Sequence, residues 1–399
     1  MENSGALSDL RVVEMGQLIA GPFCGQLFAD FGAEVVKIEP PGIGDPMREW
    51  GRQRAQGRPL WWPVIARNKK SVTLDLRLPE GQAIARRLLE KADVLVENFR
   101  PGTLERWGLS WEALSALNPR LVMIRVTGFG QTGPYASQAG FGAIGEALGG
   151  LRYVVGDPAS PPSRVGISIG DTLAAMFAAL GGLMALHARQ RTGRGQVVDS
   201  AIYEAVLAVM ESLVPEYQLG GFIRERTGSI LPNIAPSNVY PTADGQMVVI
   251  GANQDNVFKR FAAAMGRPEL ALDPRYATHS ARGEHQQELD DLIAAWTRTL
   301  EAARLQEVLV AAGVPAGRMY RAPEMLADPH FQARQAIVRI LHPTFGEMAM
   351  QNAVPKLSGT PGGVAWPGPE LGQHNAEIYQ GLLGMGAVEI EELRARRVL

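Results

Sequence analysis

Asp171 is the most distinctive candidate reactive group in the sequence. It lies in the stretch GISIGDT (166–172), with Gly170 before it and small residues after it. An aspartate in front of a helix often accepts hydrogen bonds from the first backbone amides, so the pattern predicts that Asp171 caps a helix. Open α/β sheets bind ligands at the carboxyl ends of their strands, so a capping Asp171 there could also react with a ligand.

The stretch GFGQTG (Gly128–Gly133) matches the G-x-G-x-x-G pattern of dinucleotide-binding loops and follows an apolar run. Such a loop opens a helix, and an acidic residue after the next strand binds the ribose. Here Pro134 and Tyr135 follow directly, and residues 148–154 contain no carboxylate. The pattern favours a tight glycine turn at the end of a strand, with an NAD(P)-dependent oxidoreductase as the alternative.

Two other kinds of catalytic site are weakly indicated. Ser168 occupies the serine position of a G-x-S-x-G pattern, but the polar, proline-rich residues before it make a poor central strand, which argues against a serine thioesterase. The six histidines have no H-x-x-x-H spacing, and Cys24 is the single cysteine. The sequence therefore predicts no metal site.

Basic residues follow the predicted strands of the N-terminal third. Arg77, Arg100 and Arg106 come after strand-like runs, and Asn98 and Phe99 lie beside Arg100. Guanidinium groups bind phosphates and an aromatic ring stacks on a base, so these residues could hold a nucleotide. Arginines exposed to solvent are the alternative interpretation.

Short apolar runs alternate with helical segments in the first 200 residues, which predicts βαβ units and a mainly parallel sheet. A small-residue helix is expected from Asp171 to the Gly193–Gly195 turn. The predicted strands are Arg11–Met15, Glu34–Ile38, Ser71–Leu74, Asp93–Val96, Leu121–Thr127 and Val165–Ile169, and helices are predicted from Pro79 and at Leu104–Leu117.

Composition changes near residue 220 and indicates a second domain. Residues 220–245 are rich in Gly, Pro, Asn and Ser, and a strand at 247–250 and helices at 255–265, 286–299 and 302–312 are expected after them. We predict an α/β chain with a large Rossmann-like domain (1–220), a small α+β domain (221–330) and a return segment (331–399) that packs on the large domain.

Overall charge and apolar patterning favour a soluble cytoplasmic protein. The formal net charge of −2 gives no reason to expect nucleic acid or an anionic membrane as partner. Thr172–His187, the longest apolar stretch, looks too short and too rich in small residues for a membrane span. The N-terminal residues 1–13 lack the pattern of a signal peptide.

Taken together, several motifs resemble the class III acyl-CoA transferase family, which is also called formyl-CoA transferase-like or CaiB/BaiF. They occur in the family's order over nearly the whole chain. They are residues 19–48 (IAGPFCGQLFADFGAEVVKIEPPGIGDPMR), NKKSVTLDL, VENFRPGTLERWGL, VTGFGQTGPY, GISIGDT, RTGRGQVVD and ELGQHNAEI.

The resemblance implies an interlocked homodimer of ring-shaped chains, with no permanent cofactor and with coenzyme A as part of the substrate. It implies that Asp171 is the catalytic residue and that the loop Gly251–Gln254 (Gly251, Ala252, Asn253, Gln254) closes over the intermediate and stabilises oxyanions, together with amides at the helix start. The residues it assigns to CoA binding are Ile19, Ala20, Leu74, Arg77, Asn98, Phe99 and Arg106.

Two departures from the family pattern argue against formyl-CoA and oxalate as substrates. Pro40 follows Glu39 where an arginine is frequent, and Ile19 stands where the formyl-CoA enzymes have a glutamine. The related 2-methylacyl-CoA racemases carry a G-H-D motif, whose counterpart here is Gly140-Phe141-Gly142. Phenylalanine cannot transfer a proton, so the racemase stays the less favoured alternative.

The resemblance is strongest to members that use succinyl-CoA and a small dicarboxylate, such as glutarate, 3-hydroxy-3-methylglutarate, itaconate, mesaconate, malate or sulfinopropionate. The expected reaction passes through a mixed anhydride and an aspartyl-CoA thioester on Asp171. A second carboxylate on the acceptor needs a guanidinium partner. Arg48 and Arg164 are the candidates, with Arg224 and Arg226 as further ones.

Overall fold

The computed structural model describes Gly5–Leu399. Residues 1–4, which belong to the N-terminal stretch 1–13 without a signal-peptide pattern, lie outside the described residues. Its centre is a six-stranded sheet in which every neighbouring pair is parallel. The order β3-β2-β1-β4-β5-β6 is that of a Rossmann fold. The strands are β1 (Arg11–Glu14), β2 (Glu34–Glu39), β3 (Lys69–Thr73), β4 (Val94–Glu97), β5 (Val122–Thr127) and β6 (Val197–Ala201). The predicted parallel α/β sheet is confirmed.

Between residues 5 and 399 the chain forms fourteen α-helices of at least five residues. They are α1 (Ala20–Asp30), α2 (Pro79–Glu90), α3 (Trp111–Leu117), α4 (Gly142–Leu148), α5 (Ile169–Thr192), α6 (Ile202–Leu207), α7 (Leu213–Gly220), α8 (Asp255–Ala264), α9 (His279–Glu284), α10 (Gln286–Thr297), α11 (Ala302–Ala311), α12 (Ala322–Ala327), α13 (Pro329–Ala333) and α14 (Ala387–Ala395). Short helical turns are Pro46–Arg48, Trp62–Ile65, Thr103–Arg106, Leu151–Val154, Pro268–Ala271 and Glu377–Leu382.

Helices cover both faces of the sheet, because successive side chains of a strand point to opposite faces. In β1, Val12 belongs to an apolar cluster with residues of α1 and α5, whereas Val13 belongs to one with residues of α2 and α14. Small residues let α5 approach closely: a Cβ on Gly182 would lie 2.6 Å from the Ile124 side chain. The long helix is thus held against the sheet by its glycine and alanine face.

A second compact unit comprises Arg152–Arg164 and Val214–Gln332, and the rest of the chain forms the first. It has an antiparallel sheet of β7 (Ser237–Pro241), β8 (Met247–Gly251) and β9 (Ala316–Arg318), and α8, α10 and α11 contribute to its core. The first unit also holds the hairpin β10 (Ile337–His342) and β11 (Gly346–Gln351). Two-residue strands occur at Arg54–Ala55 and Arg58–Pro59.

The contact-based division differs from the sequence-based boundaries at residues 152–164 and 214–220, and by two residues at 331–332. The sequence interpretation included residues 152–164 in the large domain, whereas contacts group them with the second unit. The amide of Gly228 donates to the Gly156 carbonyl at 3.0 Å, and Ser163 N donates to Val155 O at 3.0 Å. Backbone hydrogen bonds therefore tie this stretch to the glycine-rich segment after α7.

Three local expectations were wrong. Val165–Ile169 is not a strand, because the prolines before it cannot donate ladder hydrogen bonds and α5 already begins at Ile169. Asp171 is therefore the third residue of α5, and Ser168 occupies the N-cap position. The helix predicted at 104–117 is interrupted at Gly108, whose φ of 65° is left-handed.

Helix α5 is longer than the apolar stretch Thr172–His187, which looked too short for a membrane span. It has 24 residues and a mean hydropathy of 1.7 in its most apolar window, so length and composition alone would allow it to cross a membrane. In this structure 44% of that window is buried, and Ala174 and Ala178 pack in the core. Its other face carries exposed apolar side chains, namely Met176, Phe177, Leu180, Leu183 and Met184.

The neighbouring strands β1, β2 and β3 carry buried charged side chains that pair with one another and with Asp45. Glu14 pairs with Lys37 at 2.8 Å and with Lys69 at 2.7 Å, and Lys37 also pairs with Asp45 at 2.8 Å. All four side chains are at most 1% exposed. Burial alone would lower the pKa of Lys37, but the Asp45, Glu14 and Glu39 carboxylates outweigh it and raise that pKa.

We expect Lys37→Met to destabilise the protein strongly, because Asp45 would be left buried without a cation. Removing one partner of a buried pair typically costs about 3–5 kcal/mol. Lys70→Met is the matched control, since Lys70 pairs with Glu34 and Glu377 while 21% exposed, and such pairs contribute about 0–1 kcal/mol. Urea unfolding measures both. Equal losses in the two variants would contradict the structural role of the buried charges.

Candidate active site

The strand order reverses between β1 and β4, and this creates a crevice at the carboxyl ends of these strands. The segment that follows β1 and the segment that follows β4 are joined to each other by hydrogen bonds. The side-chain amide of Asn98 accepts a hydrogen bond from Gln17 N at 2.8 Å and donates one to Gln17 O at 2.8 Å. The amide of Asn98 fixes the loop after β1 in this structure, and its predicted contact with CoA stays a prediction.

That loop is strained and held by buried charges. Leu18 has a φ of 64°, a conformation that costs energy in a residue with a bulky side chain. The Asp45 carboxylate accepts a hydrogen bond from Leu18 N at 3.1 Å, and Lys37 Nζ donates to Gly16 O at 2.8 Å. The ion network therefore fixes the backbone that lines the crevice.

Two predicted CoA contacts are buried apolar residues. Leu74 is 1% exposed and Ala20 is 4% exposed, and both belong to apolar clusters of the core. Their side chains do not reach a surface where a ligand could bind, although the backbone at these positions follows β3 and β1. Ile19 is half-buried and packs against the cluster around Trp62.

The remaining predicted CoA contacts lie beyond the carboxyl ends of β3 and β4. Arg77 is exposed, and its guanidinium pairs with Asp75 at 2.7 Å. Phe99 is half-buried and meets Trp107 edge to face, with ring centroids 5.2 Å apart. Arg106 is exposed and donates a hydrogen bond to Thr103 Oγ1 at 3.0 Å. These side chains share one edge of the sheet with Asn98, and their binding of CoA stays a prediction.

Beneath Phe99 lies a buried carboxyl group. Glu97 Oε2 accepts a hydrogen bond from Phe99 N at 2.8 Å, and Arg125 Nε donates to Glu97 Oε1 at 2.6 Å. Burial outweighs the arginine and raises the pKa of Glu97 to about 7. No local pattern singles out Glu97, which fixes the start of the segment after β4.

Asp171 lies in the first turn of α5, next to the carboxyl end of β6, where Ser200 Oγ donates to Ala174 O at 3.0 Å. A carboxylate in the first turn is favoured by the helix dipole. Gly142, the first residue of α4, packs directly on it. A Cβ on Gly142 would lie 2.3 Å from Asp171 Oδ2, so a larger residue there would have to displace the carboxylate.

A buried glutamate that the sequence analysis missed supports the same turn. Glu146 is 1% exposed, and its Oε1 accepts a hydrogen bond from Gly170 N at 3.2 Å. This amide lies at the observed start of α5, and Glu146 occupies it, whereas oxyanion binding by amides at the helix start stays a prediction. A pattern of glycines at 142, 145 and 149 was the available signal for a helix that packs this closely.

The stretch GFGQTG forms the glycine turn that the sequence favoured. Gly130 and Gly133 have φ values of 85° and 87°, and Gly130 N donates to Thr127 Oγ1 at 3.0 Å. Gln131 N donates to Asp199 on β6 at 2.9 Å. The next helix, α4, begins only at Gly142, so the turn opens no helix of a dinucleotide site.

In the second unit, Gly251–Gln254 connects β8 to α8. Gly251 N donates to Pro315 O at 3.0 Å and Ala252 N donates to Pro236 O at 2.9 Å. These two amides donate to backbone carbonyls, and oxyanion binding by the loop stays a prediction. The fully buried Arg282 donates to Asn253 O at 2.6 Å, and Gln254 is the N-cap residue of α8.

The arginines predicted for the acceptor carboxylate are placed differently. Arg48 donates to both Glu39 oxygens at 2.7 and 2.8 Å and to Pro369 O, and its guanidinium lies 3.7 Å from the Trp62 ring centroid. Its guanidinium is thus already paired inside the protein, and its assignment to the acceptor carboxylate stays a prediction. Arg164 is exposed in the second unit.

The other two candidates, Arg224 and Arg226, also belong to the second unit, where Arg224 pairs with Glu216 at 2.7 Å and Arg226 donates to Tyr153 O at 3.2 Å. Within residues 5–399 there is no cluster of three His, Cys, Asp or Glu side chains suited to a metal ion.

Comparison with known proteins decides the family. Residues 7–375 match the profile of CoA-transferase family III. The chain belongs to this family. It is 67% identical to the succinyl-CoA–D-citramalate CoA-transferase of Chloroflexus aurantiacus, over 98% of both chains. It is 42% identical to the β subunit of the succinyl-CoA–L-malate CoA-transferase of the same organism, again over 98% of both.

A solved structure shares the fold. The crystal structure of a CaiB/BaiF family protein from Brucella suis superposes with a TM-score of 0.84 at 34% identity, over 95% of this chain and 99% of that one. The resemblance drawn from the motifs is confirmed, and this family III enzyme is a CoA-transferase.

Proposed function

We propose that this CoA-transferase moves coenzyme A from succinyl-CoA to a small dicarboxylate, with D-citramalate as the acceptor. The observation that carries the proposal is the 67% identity, over nearly the whole length, with an enzyme named for that reaction. The malate enzyme at 42% identity supports succinyl-CoA as the donor and a hydroxydicarboxylate as the acceptor class.

Asp171 is the proposed nucleophile. Its carboxylate attacks the thioester carbonyl of succinyl-CoA, which breaks the C–S bond, releases CoA thiolate and leaves a mixed succinyl–aspartyl anhydride. The thiolate then attacks the Asp171 carbonyl carbon. This step expels succinate, which keeps the bridging oxygen, and leaves an aspartyl-CoA thioester.

The acceptor reverses these steps. A carboxylate of citramalate attacks the aspartyl thioester and forms a second anhydride, again with loss of CoA thiolate. Attack of the thiolate on the citramalyl carbonyl gives citramalyl-CoA and regenerates Asp171, which now carries one oxygen atom from the acceptor. No net proton transfer or external energy source is needed, because each thioester bond broken is replaced by another.

The local geometry suits this chemistry. Gly142 leaves one side of the Asp171 carboxylate without a side chain, and the helix start supplies a positive potential for the negative charge. The crevice between β1 and β4 is the proposed CoA site, with its loop already fixed by Asn98 and Asp45. A preformed loop lowers the ordering cost of binding.

We expect D-citramalate to be the preferred acceptor. Incubation with succinyl-CoA and each acid of a panel, followed by mass detection of new thioesters, gives kcat/KM for D-citramalate, L-citramalate, L-malate, glutarate, itaconate and mesaconate. D-citramalate should exceed the others by about tenfold or more, because a site built to hydrogen-bond one arrangement of groups leaves polar groups unpaired with another. Asp171→Ala should lower all rates by at least about 10³-fold.

The control is Asp291→Ala, which removes an exposed carboxylate of the second unit and should leave the rates unchanged. Exchange that survives in Asp171→Ala would contradict the nucleophile. Equal rates with every acid would contradict the acceptor assignment. Deuterium entering C2 of a 2-methylacyl-CoA in heavy water, without CoA exchange, would instead support the racemase alternative.

We further propose that two copies of the chain associate through the exposed face of α5. The stripe Met176, Phe177, Leu180, Leu183 and Met184 follows helical spacing on the side opposite the core, and each side chain is 40–61% exposed. Contiguous apolar surface of this kind marks a contact with a partner. The family resemblance, which implies a homodimer, identifies a second copy as the partner.

We expect the protein to sediment as a dimer, and Leu180→Glu to shift it to a monomer because a charge would be buried in the contact. Leu272→Glu is the control, since Leu272 is 81% exposed on the second unit. Sedimentation velocity at micromolar concentration measures all three proteins. A monomeric wild type, or wild type that cosediments with lipid vesicles through this face, would contradict the proposal.

A further inference from the structure

One face of the short helix α4 packs against the turn that carries Asp171 and hydrogen-bonds to it. Gly142 and Glu146 are four residues apart and therefore lie on the same side of this helix. Gly142 packs against the Asp171 carboxylate, and Glu146 binds the amide of the residue just before Asp171. The two contacts hold the carboxylate and the backbone of the same turn.

The amide of Gly170 needs a partner because the first backbone amides of a helix have none within it. The N-cap residue usually supplies one, but the side chain of Ser168 makes no capping hydrogen bond. Glu146 takes over this role from a neighbouring helix: its Oε1 accepts from Gly170 N at 3.2 Å. The cap of α5 is therefore provided from outside the helix.

The contact is close-packed. Glu146 is 1% exposed, and a Cβ on Gly170 would lie 2.9 Å from Glu146 Cγ, 3.0 Å from Gly142 O and 3.2 Å from the Ile202 side chain. There is no room for another side chain at position 170. Glu146 therefore contacts both the amide and the Cα side of Gly170 in the first turn of α5.

We propose that Glu146 is a positioning residue for Asp171, which it holds in the attacking position by capping Gly170 N. This inference rests on the proposed nucleophilic role of Asp171. Glu146 itself need not touch the substrate. Its effect arises because small displacements of a nucleophile cost large factors in rate: about 10²-fold for 1 Å.

Two variants distinguish the effect of the length of the Glu146 side chain from the effect of its charge. Glu146→Gln keeps the length of the side chain and an oxygen that can accept from Gly170 N, but it removes the charge. Glu146→Asp keeps the charge but is one methylene shorter, so its oxygen falls short of the amide. If capping positions Asp171, the glutamine variant should resemble wild type and the aspartate variant should be impaired.

The experiment measures the rate at which succinyl-CoA forms a hydroxylamine-sensitive adduct on Asp171 in a single turnover, together with kcat and KM. We expect Glu146→Asp to lower the adduct rate and kcat by about 10- to 100-fold while the KM for succinyl-CoA stays within about twofold. Glu146→Gln should stay within about threefold of wild type. Gly181→Ala is the control, because its Cβ would press on Val198 far along α5 and lower stability without touching the first turn.

Wild-type adduct formation in Glu146→Asp would overturn the inference, and so would equal impairment of Glu146→Gln and Glu146→Asp, since charge rather than capping would then be required. A loss of rate in Gly181→Ala as large as in Glu146→Asp would overturn it as well, by attributing the effect to general destabilisation. If the wild type forms no adduct on Asp171, the proposed function fails; if it does and the variants behave as wild type, only the role of Glu146 fails.

Discussion

Several charged side chains of β1, β2 and β3 are buried away from water, and each must form an ion pair or a hydrogen bond inside the protein. Glu14, Lys37, Lys69 and Asp45 satisfy one another, and in doing so Lys37 and Asp45 bind the backbone of the loop after β1. The strained φ of Leu18 persists because these contacts over-determine it. These contacts fix the backbone at the reversal of strand order.

Close packing also positions the turn that carries Asp171. Gly142 and Gly170 let α4 and α5 approach closely. The Asp171 carboxylate then lies against the backbone of Gly142, and Glu146 accepts a hydrogen bond from Gly170 N. The turn GFGQTG directs the chain from β5 towards α4, anchored to Thr127 and Asp199. Its glycines serve close backbone approach, and the dinucleotide interpretation of that pattern does not apply.

Periodicity was sufficient to predict the parallel sheet and most helices, because alternating strands and helices leave strong local patterns. It failed at Val165–Ile169, where an apolar run preceded by prolines has no strand to pair with. Asp171 could be chosen from its small neighbours and from family resemblance. The roles of Glu146, Asn98 and Asp45 depend on contacts between residues 24 to 81 positions apart, which local patterns cannot reveal. The motifs indicate malate and mesaconate among the acceptors, whereas citramalate is indicated only by the relative that is 67% identical.

The central claim is that Asp171 carries the acyl group and the CoA in turn. Its most direct test is the mass of the peptide that contains Asp171 after turnover with succinyl-CoA and D-citramalate labelled with ¹⁸O in its carboxyl groups. Each cycle returns one acceptor oxygen to the enzyme carboxylate, so this account predicts that ¹⁸O appears in Asp171 and in the released succinate. Labelled succinate with an unlabelled Asp171 after many turnovers would show direct attack of acceptor on donor, and would contradict the account.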